Sequence, residues 1–239
     1  MTTKVEKEVA RPLIHAFYDA PCDGAAIEAR SFEIISREYS ARRFSSDEWE
    51  VVRRMIHTTG DSSIMETVCF SPGAIDEGKK ALKAGRPLYA DASMIRAGLS
   101  MERLRTACNR YSPADLHCHI ADADVAGQAK ASGMPRSIHA LRKALPVLPD
   151  GIVVLGNAPL ALLELNRLIV EEGICPALVV AMPVGFVHVC ESKEELVSLG
   201  IPFITILGRR GGSPLAVSVI HALCTLAALP SGGNNAKAS

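Results

Sequence analysis

The chain has 239 residues, of which 48% are hydrophobic, so it can bury a sizeable core in one large α/β domain or two small ones. Lysine plus arginine and aspartate plus glutamate number 26 each, and the resulting net charge of zero argues against a general nucleic-acid-binding protein. The seven cysteines have neither a C-x-x-C pair nor a zinc-ligand spacing, which indicates reduced thiols in a cytoplasmic protein.

The first segments of the chain predict an extension followed by two helices. Residues 1 to 22 are interpreted as an N-terminal extension, and the next residues, 24 to 39, fit a helix. A second helix starts at Ser45, where the sequence S-S-D-E forms a capping box with Glu48, and it ends at Gly60. No apolar run approaches the roughly 18 residues of a membrane span, so we expect no membrane partner.

Strands and helices then alternate to the end of the chain. The predicted strands are short and mostly apolar, and cover residues 67–70, 87–92, 116–121, 151–157, 177–185 and 202–208. The helices predicted between and after them cover residues 71–85, 122–133, 159–171, 191–200 and 214–228. This alternation predicts an α/β fold of three layers, with a mostly parallel sheet of about six strands between helices. We predict one domain over residues 23 to 229 and a flexible tail over residues 230 to 239.

Ligands of such sheets bind beyond the carboxyl ends of the strands, so the loops there are the candidate site. The loop GRRGGSP, residues 208 to 214, has glycines that let the backbone approach a ligand, and its helix start offers free N–H groups to an anion. Arg209 and Arg210 add positive charge. No G-K-[ST] sequence follows, so it is not a Walker A loop. An anion site and a plain flexible turn both stay open.

Two further loops are less distinctive. The sequence GNAP, residues 156 to 159, lacks the G-x-G-x-x-G pattern of dinucleotide sites, and is either an ordinary strand–helix turn or a carboxylate site at a helix start. The sequence MPVGFVH, residues 182 to 188, is either an apolar wall for a flat ligand or part of the core. Loops that accept anions, with apolar walls between them, suit a large, flat ligand that carries several carboxylates.

The histidines need separate interpretations. His57 lies in the last turn of the second predicted helix and is a capping residue, a core residue or an active-site acid. His117 and His119 point to one face of a strand, but this pattern more often reflects packing, and we predict no metal site. The chain has no G-x-S-x-G elbow and no Cys–His nucleophile pair that the sequence brings together.

Nine segments in order resemble the precorrin-8X methylmutase family of corrin biosynthesis. They are RSFEII, RRMIHTTGD, FSPGAI, ALKAGRPLYADASMI, IADADVA, RSIHAL, GNAPLALLEL, MPVGFVHVCESKEEL and IPFITILGRRGGS. The resemblance runs from about Gly24 to Leu226. The segments IADADVA and WEVVRRMIHTTGD are more similar to the branch that acts on cobalt-containing substrates.

The resemblance implies an isomerase that moves a methyl group from C-11 to C-12 of the corrin macrocycle and gives the hydrogenobyrinate or cobyrinate skeleton. It implies a flavodoxin-like fold, a corrinoid substrate, no cofactor and a homodimer with active sites at the subunit interface. The alternatives are a tetrapyrrole carrier without catalysis and, on fold analogy alone, a nucleotide-dependent enzyme.

The resemblance also implies roles for individual residues. His57 matches the catalytic acid of the family, which would assist a 1,5-sigmatropic shift of the methyl group. The substrate-binding positions implied by the family motifs are Arg30, Ser31, Asp91, Arg136, Asn157, Gly211, Gly212 and Ser213. Of these, Arg136 would pair with a side-chain carboxylate of the substrate. The extension and the H-C-H strand are outside the pattern, so the resemblance assigns them no role.

Overall fold

The computed structural model describes residues 11–230 and places a six-stranded sheet at the centre of the chain. The strands are β1 Val68–Phe70, β2 Leu88–Ala90, β3 Leu116–His117, β4 Ile152–Leu155, β5 Leu178–Ala181 and β6 Phe203–Ile206. Their order across the sheet is β1-β6-β5-β4-β2-β3. Strand β1 is antiparallel to β6 and all other neighbours are parallel, which confirms the predicted mostly parallel sheet.

Helices cover both faces of this sheet. They are α1 Ile14–Asp19, α2 Gly24–Glu38, α3 Ser46–Thr59, α4 Ile64–Thr67, α5 Ala74–Lys83, α6 Ser93–Gly98, α7 Met101–Ala107, α8 Ala123–Ser132, α9 Arg136–Lys143, α10 Pro159–Glu172, α11 Val189–Ser198 and α12 Ser213–Ala228. Short 3-10 turns occur at Pro113–Asp115 and Leu145–Val147. Every helix within residues 11–230 is too short or too polar to serve as a transmembrane segment.

Two hydrophobic cores form because successive side chains of a strand point to opposite faces. In β4, Ile152 and Val154 pack into the core on the side of α3, α5 and α12. Val153 and Leu155 pack into the second core, on the side of α9, α10 and α11. All four side chains are completely buried, which explains why the strand sequence IVVL is continuously apolar.

The predicted ends of the second helix are confirmed. Ser45 Oγ accepts a hydrogen bond from the Glu48 amide at 3.3 Å, and Glu48 Oε2 accepts one from the Ser45 amide at 2.8 Å. Gly60 has a φ of 65° and ends the helix in the left-handed conformation. His57 therefore lies in the last turn of α3, at a half-buried position.

The predicted outer segments differ in how much of them the structure describes. Helix α1 lies in the part predicted as an extension, and none of its residues is buried. Residues 1 to 10 and 231 to 239 lie outside the described residues, so the predictions for them stay predictions, as do the domain boundaries at residues 23 and 229. The third predicted strand is much shorter than expected, since β3 has 2 residues.

The strand order creates the crevice in which a site is expected. Strand β2 pairs with β3 on one side and with β4 on the other, so the chain changes direction between β2 and β4. The loops that leave these two strands diverge at such a switch point and open a cleft beyond the carboxyl ends of the strands. Asp91 follows β2 and Gly156 follows β4, which places both at this crevice.

Candidate active site

Helices α2 and α3 bring the predicted acid and a predicted binding residue together. Ser31 Oγ lies 2.7 Å from Nδ1 of His57. The His57 ring also meets the Phe32 ring edge to face, with 5.3 Å between their centroids. Within residues 11–230, Nε2 of His57 has no hydrogen-bond partner. The imidazole is thus fixed through one nitrogen and keeps the other for a ligand.

An ion-pair cluster holds α2 in place beside His57. Glu28 lies one turn before Ser31 and accepts hydrogen bonds from Arg54 at 2.7 and 3.3 Å. It also accepts two bonds from Arg103, at 3.0 and 3.3 Å. Burial acts to raise the pKa of Glu28, but the two guanidinium groups outweigh it and lower that pKa. Because Arg54 is buried one turn before His57, this cluster fixes the two helices relative to each other.

The glycine-rich loop before α12 docks beside the end of α3. Arg210 donates a hydrogen bond to Ser63 Oγ at 2.6 Å and forms an ion pair with Asp61. Hydrogen bonds from Ser63 lower the pKa of Asp61, and Arg210 lowers it further. Because Asp61 is only four residues after His57, this contact holds the loop near the candidate acid.

Three loops at the carboxyl ends of β4, β5 and β6 are packed into one group. The Gly212 amide donates to the Met182 carbonyl at 2.8 Å. A Cβ atom on Gly211 would lie 2.3 Å from that carbonyl oxygen, and one on Gly156 would lie 2.8 Å from Cα of Ser213. These approaches require glycine, which explains the glycines in GNAP and GRRGGS. The predicted residues Gly211, Gly212 and Ser213 thereby adjoin the loop that carries Asn157.

Asp91 uses its carboxylate to hold the loop after β4. It accepts hydrogen bonds from the amides of Gly156, Asn157 and Ala158 at 2.9, 3.0 and 2.8 Å, and it is 1% exposed. Burial raises the pKa of Asp91, against the three amide bonds that lower it. The amides just before α10, which could have bound a carboxylate of a ligand, are therefore occupied by the carboxylate of Asp91. Asn157 is exposed at the tip of this loop, where a ligand can reach it.

A small apolar cavity of about 290 Å³ lies between α3, α6 and α12. Arg54 and Thr58 line it on one side, and Ser213, Pro214 and His221 line it on another. His221 Nε2 accepts a hydrogen bond from the Ser100 amide at 3.0 Å. Burial, helped by the charges of two nearby arginines, lowers the pKa of His221 to about 4, so its imidazole is neutral at pH 7.

Within residues 11–230, the two predicted substrate-binding arginines form no ion pair or side-chain hydrogen bond with this group of residues. Arg30 is 63% exposed and pairs with Glu33 of the same helix at 2.7 Å. Arg136 is the first residue of α9 and is exposed. No described residue forms an ion pair or side-chain hydrogen bond with Arg136. Both guanidinium groups are accessible to an anionic ligand.

The H-C-H segment is not the continuous strand that was predicted, because β3 ends at His117 and Cys118 and His119 lie after it. Its histidine rings make packing contacts. His119 Nδ1 lies 3.0 Å from Asp122 Oδ2, and the His117 and His119 ring centroids are 6.3 Å apart. Burial and the neighbouring His119 lower the pKa of His117. In the part of the chain that the structure describes, no three side chains form a metal-binding group.

Sequence reasoning missed the residues that hold the site from behind. Glu28, Arg54 and Lys193 were not among the candidate residues, because no sequence motif distinguishes them from the other charged residues of the chain. Arg54 and Lys193 are buried, which only the packing of α3 and α11 reveals. Two of these residues lie in segments that resemble the family, Arg54 in RRMIHTTGD and Lys193 in ESKEEL, and this is the sequence signal that could have identified them.

Comparison with known proteins shows the family of this chain. The precorrin-8X methylmutase family model matches residues 26–226. The cobalt-precorrin-8 methylmutase of Leptospira interrogans is 45% identical over 85% of this chain and 94% of its own length. The precorrin-8X methylmutase of Pseudomonas aeruginosa is 38% identical, over 85% of this chain and 96% of its own length.

The structural comparison agrees with the sequence comparison. The crystal structure of a precorrin-8x methyl mutase from Thermus thermophilus superposes with a TM-score of 0.78 at 42% sequence identity. The match covers 86% of this chain and 97% of that one. The resemblance seen in nine sequence segments is thus confirmed over most of the chain, and the chain belongs to the precorrin-8X methylmutase family.

Proposed function

We propose that this chain is a methylmutase that converts cobalt-precorrin-8 into the cobyrinate skeleton by moving a methyl group from C-11 to C-12. Family membership supports the reaction class, an intramolecular methyl transfer. The cobalt-containing substrate is supported by relatives from Leptospira interrogans and Priestia megaterium, at 45% and 40% identity, which are named cobalt-precorrin-8 methylmutases. The cobalt belongs to the substrate, and the reaction needs no cofactor of its own.

The observation that carries the proposal is the hydrogen bond between Ser31 and His57. With Nδ1 facing the Ser31 hydroxyl, Nε2 of His57 is the nitrogen that can donate a proton to the conjugated ring system of the substrate. Protonating or hydrogen-bonding that system near the migrating methyl group polarises it and lowers the barrier to the 1,5-sigmatropic shift. The proton returns to Nε2 after the shift, so no redox partner or group donor is required. General acid catalysis of this kind contributes about 10²- to 10⁴-fold.

The charges around the cleft fit the rest of the substrate. Corrin intermediates carry several acetate and propionate carboxylates, and Arg30 and Arg136 have exposed guanidinium groups that can bind them. The backbone of Gly211 and Gly212 and the side chains of Ser213 and Asn157 supply further polar contacts near the cleft. Asp91 contributes indirectly by fixing the Asn157 loop.

We extend the proposal to a homodimer with shared active sites. Large apolar side chains are exposed shortly after two strands: Met94 in α6, which follows β2, and Phe186 and Val187 in the loop after β5. Surfaces of this kind favour burial against another subunit. A second subunit is also a way to bring Arg30 and Arg136 to a macrocycle bound at His57. A cytoplasmic location and the absence of a nucleic-acid partner stay predictions from composition.

The test is to incubate the purified protein with cobalt-precorrin-8 and follow the absorption spectrum of the macrocycle. A methylmutase changes the conjugation and hence the spectrum with turnover. A carrier binds the macrocycle and releases it unisomerised, and this outcome would reject the proposed activity. Replacing His57 by alanine should reduce turnover by about 10²-fold or more while product binding stays within about threefold. Turnover at the parent rate in that variant would remove His57 from the mechanism.

A further inference from the structure

A completely buried lysine lies beneath the glycine-rich loop. Lys193, on α11, is 0% exposed, although lysine is among the residues least often buried. Its ammonium group donates hydrogen bonds to the carbonyl of Gly208 at 2.9 Å and to that of Arg210 at 2.6 Å. Burial lowers the pKa of Lys193 to about 8. Burying a cation against neutral carbonyls is costly, so its position in the fold requires an explanation.

The two hydrogen bonds set the orientation of the loop peptides. The described chain has no cis peptide bonds, and in a trans peptide the carbonyl and the following N–H point in opposite directions. Since the carbonyls of Gly208 and Arg210 point at Lys193, the amides of Arg209 and Gly211 point away from it. Neither amide has a hydrogen-bond partner within residues 11–230.

The loop is also anchored at its outer end. Arg210 binds Ser63 Oγ at 2.6 Å and pairs with Asp61, which follows the helix of His57. Lys193 holds the backbone of Arg210 from the inside while these residues hold its side chain from the outside. The position of the loop relative to His57 therefore depends on the lysine as well as on the ion pair.

We propose that Lys193 is a positioning residue, which holds the 208–211 loop in the shape that receives a carboxylate of the substrate. This inference rests on the proposed function. Because Lys193 is completely buried, it would act on the substrate only through the carbonyls of Gly208 and Arg210. Its effect should therefore fall on substrate affinity more than on the chemical step at His57.

The experiment measures kcat and KM for cobalt-precorrin-8 with Lys193→Met, Lys193→Arg and the parent protein. Methionine fills a similar volume without a donor, so KM should rise about tenfold while kcat falls by less than about threefold. Arginine keeps the charge and the donors and should recover most of the affinity. Lys79→Met is the matched control, because Lys79 pairs with Asp47 and Asp76 and makes no hydrogen bond to this loop; its KM should stay at the parent value.

The pH profile separates a positioning role from a merely structural one. As pH rises through about 8, Lys193 loses its charge and the parent KM should increase. This alkaline rise in KM should be absent in Lys193→Met. It should be displaced to higher pH in Lys193→Arg, because arginine stays protonated. Cys190, on the same helix, is an ionisable side chain whose charge acts to raise the pKa of Lys193, against the larger effect of burial. Of the two arginines in the loop, Arg210 pairs with Asp61 and Arg209 places its guanidinium group over the Phe186 ring.

Specific outcomes would overturn the inference. An unchanged KM in Lys193→Met, or the same alkaline limb in Lys193→Met as in the parent, excludes the positioning role. If Lys193→Met does not fold, Lys193→Arg and the parent profile still decide, because a parent KM that is flat between pH 7 and 9.5 contradicts it. Failure of the parent to isomerise the substrate rejects the proposed function instead, and is recognised before any variant is compared.

Discussion

Ser31 donates or accepts the hydrogen bond that fixes His57, since only 2.7 Å separates its hydroxyl oxygen from Nδ1 of the imidazole. The family resemblance implied a substrate contact for Ser31, and in this structure its hydroxyl faces the histidine. When the hydroxyl donates, the imidazole proton is on Nε2, the nitrogen without a partner among the described residues. The same bond thus fixes the orientation of His57 and leaves Nε2 as the nitrogen that faces a ligand.

Replacing Ser31 by alanine should therefore lower kcat by about three- to tenfold, the range expected for one lost hydrogen bond. Substrate KM should change less, because the imidazole itself remains. The measurement is steady-state turnover of the corrinoid, followed by absorption. Ser36→Ala is a control on the same helix, where the hydroxyl accepts a bond from Arg53 and has no contact with His57. Equal rates for Ser31→Ala and the parent would contradict the role of Ser31 in fixing the imidazole.

Much of the fold could be predicted because its signals are local. The capping box at Ser45, the stop at Gly60 and the continuous apolar strands are set by neighbouring residues. The short helices α4, α6 and α7 were not predicted. They have 4, 6 and 7 residues, and helices of this length depend on tertiary packing for their stability.

The residue types of the candidate site could be predicted, but the groups that these side chains bind within the chain could not. Asp91 was a candidate substrate ligand, yet its carboxylate binds amides 65 to 67 positions away, an arrangement that no local pattern encodes. Lys193 lies in the polar segment ESKEEL, which predicts an exposed helix face. The sequence could not indicate that the Gly208 and Arg210 carbonyls would meet it inside the protein.

A second prediction concerns the pH dependence of stability through Glu164. Burial acts to raise the pKa of Glu164, but hydrogen bonds from Arg167 and Arg142 outweigh it and lower this pKa to about 2. A carboxyl group with a lowered pKa stabilises the fold above its unfolded pKa, and this contribution disappears as pH falls toward about 2. Glu164→Gln should cost roughly 2 kcal/mol of unfolding free energy at pH 7, a figure reduced for the partial exposure of both arginines.

Urea denaturation of the parent and Glu164→Gln at pH 7 and at pH 2.5 provides the measurement. The difference between the two proteins should shrink to a small fraction of its neutral value at the lower pH. Glu171→Gln serves as the control, since Glu171 pairs with the same Arg167 but is 61% exposed. It should change stability by less than about 0.5 kcal/mol. A pH-independent difference for Glu164→Gln would disprove the electrostatic explanation.

A third prediction uses the close approach of Gly211 to the loop after β5. A Cβ there would lie 2.3 Å from the carbonyl oxygens of Met182 and Pro183, which are backbone atoms and cannot move independently. Gly211→Ala should therefore destabilise the fold by about 1–3 kcal/mol and weaken product binding about tenfold. Calorimetry and titration with the corrinoid product measure the two effects.

The matched control is Gly127→Ala in α8, where an added Cβ would meet nothing within 4 Å. Because alanine loses less backbone entropy than glycine in a helix, this variant should gain about 0.5–1 kcal/mol and keep its affinity. If Gly211→Ala unfolded at the same temperature as the parent and bound product equally well, the loop would be less constrained than these contacts indicate.

The last prediction concerns Arg136, which begins α9 with an exposed guanidinium group that no described side chain pairs. An arginine without an internal partner contributes little to stability but is available for a carboxylate of the substrate. Arg136→Ala should leave the melting temperature within about 1 °C and weaken binding of the corrinoid product about tenfold. Lys130→Ala, at an exposed position in α8, removes a positive charge from the preceding helix and tests whether general electrostatic attraction suffices. Equal losses of affinity in the two variants would indicate a diffuse charge effect, whereas a loss confined to Arg136→Ala, and insensitive to moderate salt, would indicate a direct pairing with the substrate.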